Sequence, residues 1–132
     1  MAIKKDVIVL LFVESRYRLN RKRVYQAISR ELKGHGVIGP VEVSIAIIGD
    51  RKMRKLNKKY RNLDKTTNVL SFPIAEGEAA VMPDTSILRL GDIAISYPQV
   101  IKEAAAEEML VDDKIEELVL HSLSHLLGIH HD

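Results

Sequence analysis

The chain has 132 residues, of which 46% are hydrophobic and 29% are charged, and its formal net charge is +2. These values are typical of one globular domain and exclude a disordered chain. The sequence has no cysteine, which excludes disulfides and thiolate ligands, so any transition metal must be held by histidines and carboxylates. We therefore expect residues 1–132 to form a single domain, and the lack of cysteine fits a reducing cytoplasm.

The apolar pattern predicts four β-strands. Residues 7–13 are apolar on both faces, which is typical of a central strand, and they are too few to span a bilayer. In residues 41–48, large apolar side chains alternate with a second set that is polar or small at three of its four positions, as in a half-buried strand. The apolar set is Val41, Val43, Ile45 and Ile47, and the second set is Glu42, Ser44, Ala46 and Ile48. Residues 66–74 form an edge strand or end at Pro73, because proline cannot donate to a β-ladder. Residues 90–96 complete the set.

Four helices are predicted from apolar stripes and capping residues. The predicted caps and ranges are Asn20 for residues 21–32, Asp50 for residues 51–60, Ser96 for a helix ending near residue 110, and a capping box of Asp113 and Glu116 for a last helix ending near residue 127. Residues 75–89 form a loop. This order predicts an α+β fold, a mixed four-stranded sheet packed with helices, in which the C-terminal helix is central.

The last helix carries two histidines that are four residues apart. His121 and His125 therefore lie on one helix face and can bind the same metal ion. Gly128 allows the helix to end, so that His130 or His131 can return to the ion as a third ligand. Three neutral nitrogen ligands with a fourth position open are typical of a catalytic zinc site. A chance histidine pair in a packed or surface position is the alternative.

The spacing HxxxHxxGxxH is also the metal-binding frame of the metzincin proteases. Those enzymes have a glutamate after the first histidine, which serves as general base. Ser122 occupies that position here, and a serine hydroxyl does not accept a proton at neutral pH without help. The sequence therefore predicts the metal site without the peptidase base.

Basic residues are concentrated in two clusters, which predicts a positively charged face for an anionic partner such as RNA. The first cluster contains Arg16, Arg18, Arg21, Lys22 and Arg23, and the second contains Arg51, Lys52, Arg54, Lys55, Lys58, Lys59 and Arg61. For either cluster alone, a solvated helix face is the alternative interpretation.

Three segments, taken together, resemble the YbeY-type ribosomal RNA maturation endoribonucleases. Residues 56–73 (LNKKYRNLDKTTNVLSFP) are similar to the family pattern N-x-x-Y-R-x-x-D-x-x-T-D-V-L-S-F-P. Residues 90–96 (LGDIAIS) match G-D-I-x-I-S, and residues 121–131 (HSLSHLLGIHH) resemble H-G-x-L-H-L-x-G-Y-D-H. The segments occur in the family's order, and the similarity covers most of the chain from residue 43 onward.

The resemblance implies a single-strand-specific, metal-dependent endoribonuclease of the cytoplasm. Its expected role is 16S ribosomal RNA 3′-end maturation and ribosome quality control, with ribosomal RNA and the small ribosomal subunit as partners and no membrane. One zinc ion per chain, or nickel or another divalent ion, is expected on His121, His125 and His131. The family's arginine falls on Arg61, which we expect to clamp the phosphate.

The sequence departs from the family pattern at several positions. Ser122, Ser124, Ile129 and His130 replace glycine, leucine, tyrosine and aspartate, and Asn68 replaces the aspartate of T-D-V-L-S-F-P. The substitution at position 130 leaves the third ligand open, although the loop length favours His131. Asn68 and Ser71 are predicted to orient substrate or water, or else to satisfy backbone groups at the strand edge.

Two other functions are compatible with these residues. One is a metal-dependent hydrolase of another substrate class, such as a peptidase, which the absence of a glutamate at position 122 disfavours. The other is a non-catalytic ribosome assembly factor whose metal is structural. The sequence leaves the metal's identity, the cleavage position, the general base and the oligomeric state open.

Overall fold

We describe the fold from a computed structural model for residues 7–37, 39–74 and 87–128. The elements occur in the predicted order β-α-β-α-β-β-α-α. They are β1 (Val7–Val13), α1 (Arg21–Gly34), β2 (Val41–Ile48), α2 (Asp50–Arg61), β3 (Val69–Pro73), β4 (Leu88–Ser96), α3 (Tyr97–Ala106) and α4 (Val111–Leu126). Most of the predicted 75–89 loop lies outside the described residues, and its last two residues already belong to β4.

The four strands form one mixed sheet in the order β1-β2-β4-β3. The pairs β1–β2 and β2–β4 are parallel, whereas β3 runs antiparallel to β4. The prediction that residues 7–13 form a central strand was wrong, because β1 lies at an edge. Its second apolar face is not covered by the described residues, and Leu10 and Phe12 are 51% and 56% exposed there. Placing β3 at an edge was correct.

Three helices, α1, α3 and α4, cover one face of the sheet. The alternate residues of β2, Val41, Val43, Ile45 and Ile47, point into the core that these helices close. Helix α4 contacts α1, α3, β3 and β4, so the predicted α+β fold with a central C-terminal helix is confirmed. The predicted end of α3 near residue 110 was wrong, because Glu108 adopts a left-handed conformation (φ 56°) that ends the helix at Ala106.

Two acidic residues that we predicted as helix caps have other roles. Asp113 lies inside α4, and its carboxylate accepts a hydrogen bond of 2.5 Å from Arg23, which also donates to Glu116 at 2.7 Å. These ion pairs join α1 to α4. Asp50 lies inside α2, where Gly49 is the N-cap residue. In contrast, Asn20 caps α1 as predicted and accepts a hydrogen bond from the Arg23 amide.

Helix α2 packs on the opposite face of the sheet. Met53 is fully buried there in a second, smaller core with Ile48, Leu70 and Ala94. This small contact leaves most of the α2 side chains exposed. One face of the sheet is therefore covered by α1, α3 and α4, whereas the other face is covered in part by α2.

Gly91 allows β3 and α4 to approach β4 closely. Its φ angle is +141°, a conformation that L side chains rarely adopt. A Cβ atom at this position would lie 2.3 Å from the carbonyl oxygen of Phe72 and 3.1 Å from Leu126 Cδ2. The glycine of the LGDIAIS segment is thus required by packing.

Across residues 7–37, 39–74 and 87–128, no helix combines the length and hydropathy needed to cross a membrane.

Candidate active site

The face of α4 that carries the histidines is open to solvent. His121 and His125 are both exposed. Their ring centres lie 4.5 Å apart with an angle of 65° between the ring planes. The predicted i, i+4 pair therefore exists on a rigid helix, because the neighbouring Ser122 and Leu123 anchor α4 in the core.

A cavity of about 390 Å³ lies next to this histidine pair. It is lined by Arg61, Thr67, Asn68, Val69, Leu70, Ser71, His121, Ser122 and His125. We call this cavity the histidine pocket. It brings together five of the predicted site residues from three separate parts of the chain.

Three local features place the substrate-binding candidates in the histidine pocket. Arg61 is the last residue of α2, which ends because Asn62 is left-handed at φ 59°. Ser71 lies on the β3 face that points toward α4, and its Oγ is 3.5 Å from Nδ1 of His125. Asn68 precedes β3 and is fixed twice. Its Nδ2 donates to Glu103 Oε1 at 3.1 Å, and its carbonyl accepts from the Ser96 amide at 2.9 Å.

The second basic cluster forms a positively charged surface on α2 that leads to the histidine pocket. All of its arginines and lysines are exposed. Two of them are paired, Arg54 with Asp64 at 2.8 Å and Lys52 with Glu14 at 3.2 Å, which leaves five of the seven without an ion-pair partner among the described residues. In the first cluster, Arg23 is neutralised by the two carboxylates of α4. The α2 cluster is therefore the better candidate for contact with an anionic partner.

Comparison with known proteins identifies the family. The family model described as Endoribonuclease YbeY matches residues 12–132 of this chain. The chain belongs to the YbeY family. The resemblance in the sequence motifs is thereby confirmed.

Relatives of the YbeY family share a large part of this chain. The Endoribonuclease YbeY of Roseiflexus castenholzii is 38% identical over 109 residues, covering 83% of this chain and 69% of that protein. The Nitrobacter hamburgensis protein of the same description is 39% identical over 94 residues, covering 71% of this chain and 50% of its own length. The solution structure of TM1509 from Thermotoga maritima has a TM-score of 0.58 at 21% identity. The structural match covers 95% of this chain and 75% of the TM1509 chain, and this likeness supports the fold.

The histidine pocket contains two of the nitrogen ligands that a zinc site requires, His121 and His125. Two imidazoles at this separation can share one ion, since a Zn–N bond is about 2.0–2.1 Å. No group of three metal-ligating side chains occurs within the described parts of the chain. His130 and His131 lie outside those parts, so zinc and its third ligand stay predictions.

Ser122 is 1% exposed and lies at the floor of the histidine pocket. Glutamate would be the general base of a protease at this position. A small hydroxyl cannot replace that carboxylate as a proton acceptor. The pocket therefore offers no protease-type base from this part of α4.

A hydrogen-bond network around Asp50 holds the loop that leads into the pocket. The Asp50 carboxylate accepts from Thr66 Oγ1 at 2.9 Å, from Ser96 Oγ at 2.7 Å and from Gln99 Nε2 at 3.2 Å. Burial raises the pKa of Asp50, but these hydrogen bonds and the charge of Lys102 outweigh burial and hold the pKa below its ordinary value. Sequence reasoning missed this role, because Asp50 also fits the local pattern of a helix cap.

Proposed function

We propose that this chain is a zinc-dependent endoribonuclease that cleaves single-stranded RNA. We further propose that it acts in the cytoplasm on ribosomal RNA of the small ribosomal subunit, in 16S 3′-end maturation and ribosome quality control. Membership of the YbeY family supports the nuclease activity. The observation that carries the proposal is the presence of Arg61 in the same pocket as His121 and His125.

RNA cleavage requires stabilisation of negative charge on a phosphodiester. The Arg61 guanidinium can donate two parallel hydrogen bonds to phosphate oxygens, in a geometry that lysine cannot reproduce. Its position at the end of α2 places this charge in the wall of the pocket that His121 and His125 of α4 also line. Arg61 therefore orients the phosphate and stabilises charge that develops on it.

The remaining pocket residues position the reacting groups. His121 and His125, with His131 as the expected third ligand, would hold the divalent ion. When bound, this ion supplies Lewis-acid stabilisation and makes a water molecule more acidic. Ser71 lies within reach of His125 and orients its ring, whereas Asn68, held by Glu103, presents a fixed polar group to the substrate.

The basic surface of α2 supports a single-stranded nucleic acid as substrate. A groove with positive side chains follows a phosphate backbone without reading sequence. We therefore expect RNA binding to weaken steeply with salt. A peptidase substrate would gain nothing from these charges.

The test compares cleavage of a single-stranded RNA by wild type and by three variants. We expect Arg61→Ala to reduce the rate about 100-fold or more, as for removal of one transition-state donor. His125→Ala should reduce the rate by at least as much, because it removes an expected ligand of the catalytic ion. Arg30→Ala is the matched control, since it removes an exposed arginine of α1 that lies outside both basic clusters, and it should retain activity within about threefold. Casein and a chelator control are included. Full activity of both His125→Ala and Arg61→Ala would refute the proposed mechanism, and casein cleavage would favour the peptidase.

A further inference from the structure

A second depression lies on the other face of the sheet, on the α2 side. It has a volume of about 330 Å³ and is lined by Ser44, Ala46, Leu56, Tyr60, Phe72, Asp92, Ile93 and Ala94. We call it the aromatic cleft. None of the residues predicted for the metal and phosphate site lines it.

Small side chains in the sheet create this aromatic cleft. Ala46 and Ala94 are paired across β2 and β4, and their methyl groups do not fill the space beneath α2. Tyr60 and Phe72 form its wall, with ring centres 5.0 Å apart in an edge-to-face arrangement. Tyr60 fits the apolar stripe of α2, yet it is 56% exposed. An exposed tyrosine beside an apolar depression is suited to stacking on a planar ring.

A polar row forms the other side of the aromatic cleft. Ser44 and Asp92 are register partners across β2 and β4, and Asp92 is also the register partner of the wall residue Phe72 on β3. The Asp92 side chain is exposed and has no ion-pair partner within the described parts of the chain. A carboxylate accepts hydrogen bonds and donates none. The row therefore favours a planar ligand that carries an amino group.

The aromatic cleft and the histidine pocket lie on opposite faces of edge strand β3. Ser71 lines the pocket and Phe72 lines the cleft, because successive side chains of a strand alternate between faces. The two sites also meet at the end of α2, where Tyr60 lines the cleft and Arg61 lines the pocket. Because Tyr60 and Arg61 are adjacent in the chain, a polymer that is bound by Arg61 can extend to Tyr60.

The charge around this junction identifies the kind of polymer. Lys59 Nζ lies 5.1 Å from the centre of the Tyr60 ring, and Lys55 and Lys58 are exposed on the same helix. Cations beside an exposed aromatic ring are the combination by which proteins bind single-stranded nucleic acids, through the backbone and the base faces together. An apolar peptide would not need these charges.

We propose that the aromatic cleft is a base-binding subsite for the RNA strand whose phosphate occupies the histidine pocket. An unpaired base next to that phosphate stacks on Tyr60 and donates its exocyclic amino group to Asp92. Cytosine, adenine and guanine have such a group and uracil does not, so the subsite disfavours uridine. This inference rests on the proposed function, because it assigns the cleft to the same substrate.

The test measures binding of fluorescent RNA decamers to the full chain by anisotropy, in a chelator that stops turnover. Oligocytidine and oligouridine are compared because their bases have the same ring size and differ in the amino group. The variants are Tyr60→Leu and Asp92→Ala. Phe12→Leu is the matched control, since Phe12 is also 56% exposed on the same face of the sheet but lies outside the cleft. Circular dichroism checks that each variant is folded.

We expect Tyr60→Leu to weaken oligocytidine binding about 5- to 100-fold, the range for loss of one stacked base. Phe12→Leu should change it less than about twofold, as expected away from the stacking site. Wild type should bind oligocytidine about fivefold or more tightly than oligouridine, and Asp92→Ala should remove this preference, because alanine has no hydrogen-bond acceptor.

Each other outcome has a distinct meaning. If Tyr60→Leu and Phe12→Leu bind oligocytidine equally well, the subsite is overturned. In that case the proposed function still stands if wild type cleaves RNA. Absence of RNA binding by wild type would overturn both. A preference for oligocytidine that persists in Asp92→Ala would overturn the base assignment. Loss of a dimer in Tyr60→Leu, with RNA binding unchanged, would assign the cleft to a second copy of the chain and overturn the proposal.

Discussion

Replacing Asp50 by alanine tests whether its hydrogen-bond network holds the structure beneath the histidine pocket. Three donors would lose their acceptor, namely Thr66 Oγ1, Ser96 Oγ and Gln99 Nε2. Ser96 is completely buried, so its hydroxyl cannot be rescued by bulk water. The other two residues are half-buried and can regain part of their hydrogen bonding.

The expected loss of stability follows from this difference in burial. A hydrogen bond to a charged group contributes about 1.5–3 kcal/mol, and we expect the hydrogen bond from the buried Ser96 hydroxyl to contribute an amount within that range. Adding a fraction for each half-buried donor, we expect Asp50→Ala to lower the free energy of unfolding by about 2–4 kcal/mol. For a domain of this size that corresponds to a fall in Tm of about 8–16 °C.

Urea and thermal unfolding at pH 7 measure this change, and Asp64→Ala is the control. Asp64 is an aspartate whose pKa is also lowered, first by the hydrogen bond from Arg54, but its side chain is 53% exposed. We expect the control to change stability much less, because exposed ion pairs contribute little. A smaller effect of Asp50→Ala than of Asp64→Ala would refute the reasoning.

The difference in stability between wild type and Asp50→Ala should depend on pH, and the sign of this dependence follows from the lowered pKa of Asp50. The pKa of Asp50 is lowered in the folded state, whereas an unfolded aspartate has a pKa of about 3.9. The stabilisation by ionised Asp50 is therefore complete above the unfolded pKa and is lost as the pH falls through the folded pKa. The stability difference between wild type and Asp50→Ala should narrow below about pH 4. A difference that widens in acid would contradict this assignment.

Three further predictions concern packing, charge and metal binding. Gly91→Ala should destabilise the fold by about 3 kcal/mol or more, because the new methyl group would clash with the backbone of β3; a urea midpoint equal to that of wild type would exclude the clash. Arg23→Ala should lower the urea midpoint by loosening α1 from α4, and an unchanged midpoint would mean that its ion pairs contribute nothing to stability. His131→Ala should weaken zinc binding about 100-fold or more in calorimetry, whereas His130→Ala should not, and the reverse result would make His130 the third ligand.

The sequence was sufficient for the element order, because apolar periodicity and local capping signals determine helices and strands over short distances. Asn20 illustrates this, since its cap involves an amide three residues away. The position of β1 was missed because a strand that is apolar on both faces can be central or can leave one face uncovered. Asp50 and Asp113 were misread as caps, because their partners lie on other elements and have no signature near them in the sequence.

The candidate site followed from the sequence only through residue types and family resemblance. The i, i+4 spacing places His121 and His125 together, since both are on one helix. Nothing local indicates that Arg61 lines the same pocket, because that arrangement depends on how β3 pairs with β4 and how α2 ends. The aromatic cleft was not predicted, because it forms only where α2 packs over the sheet and brings Tyr60 beside Phe72 of β3.

The position of β3 has a consequence for how long the active arrangement persists in solution. This strand has five residues, it is hydrogen-bonded to β4 alone in the described sheet, and Pro73 has no amide hydrogen. Such an edge can detach at a lower free energy than the whole domain unfolds. Detachment would remove Ser71 and Phe72 from both sites at once while α1, β1 and β2 stay packed. Hydrogen exchange at the β3 amides therefore measures the fraction of molecules that are competent, which global unfolding experiments do not detect.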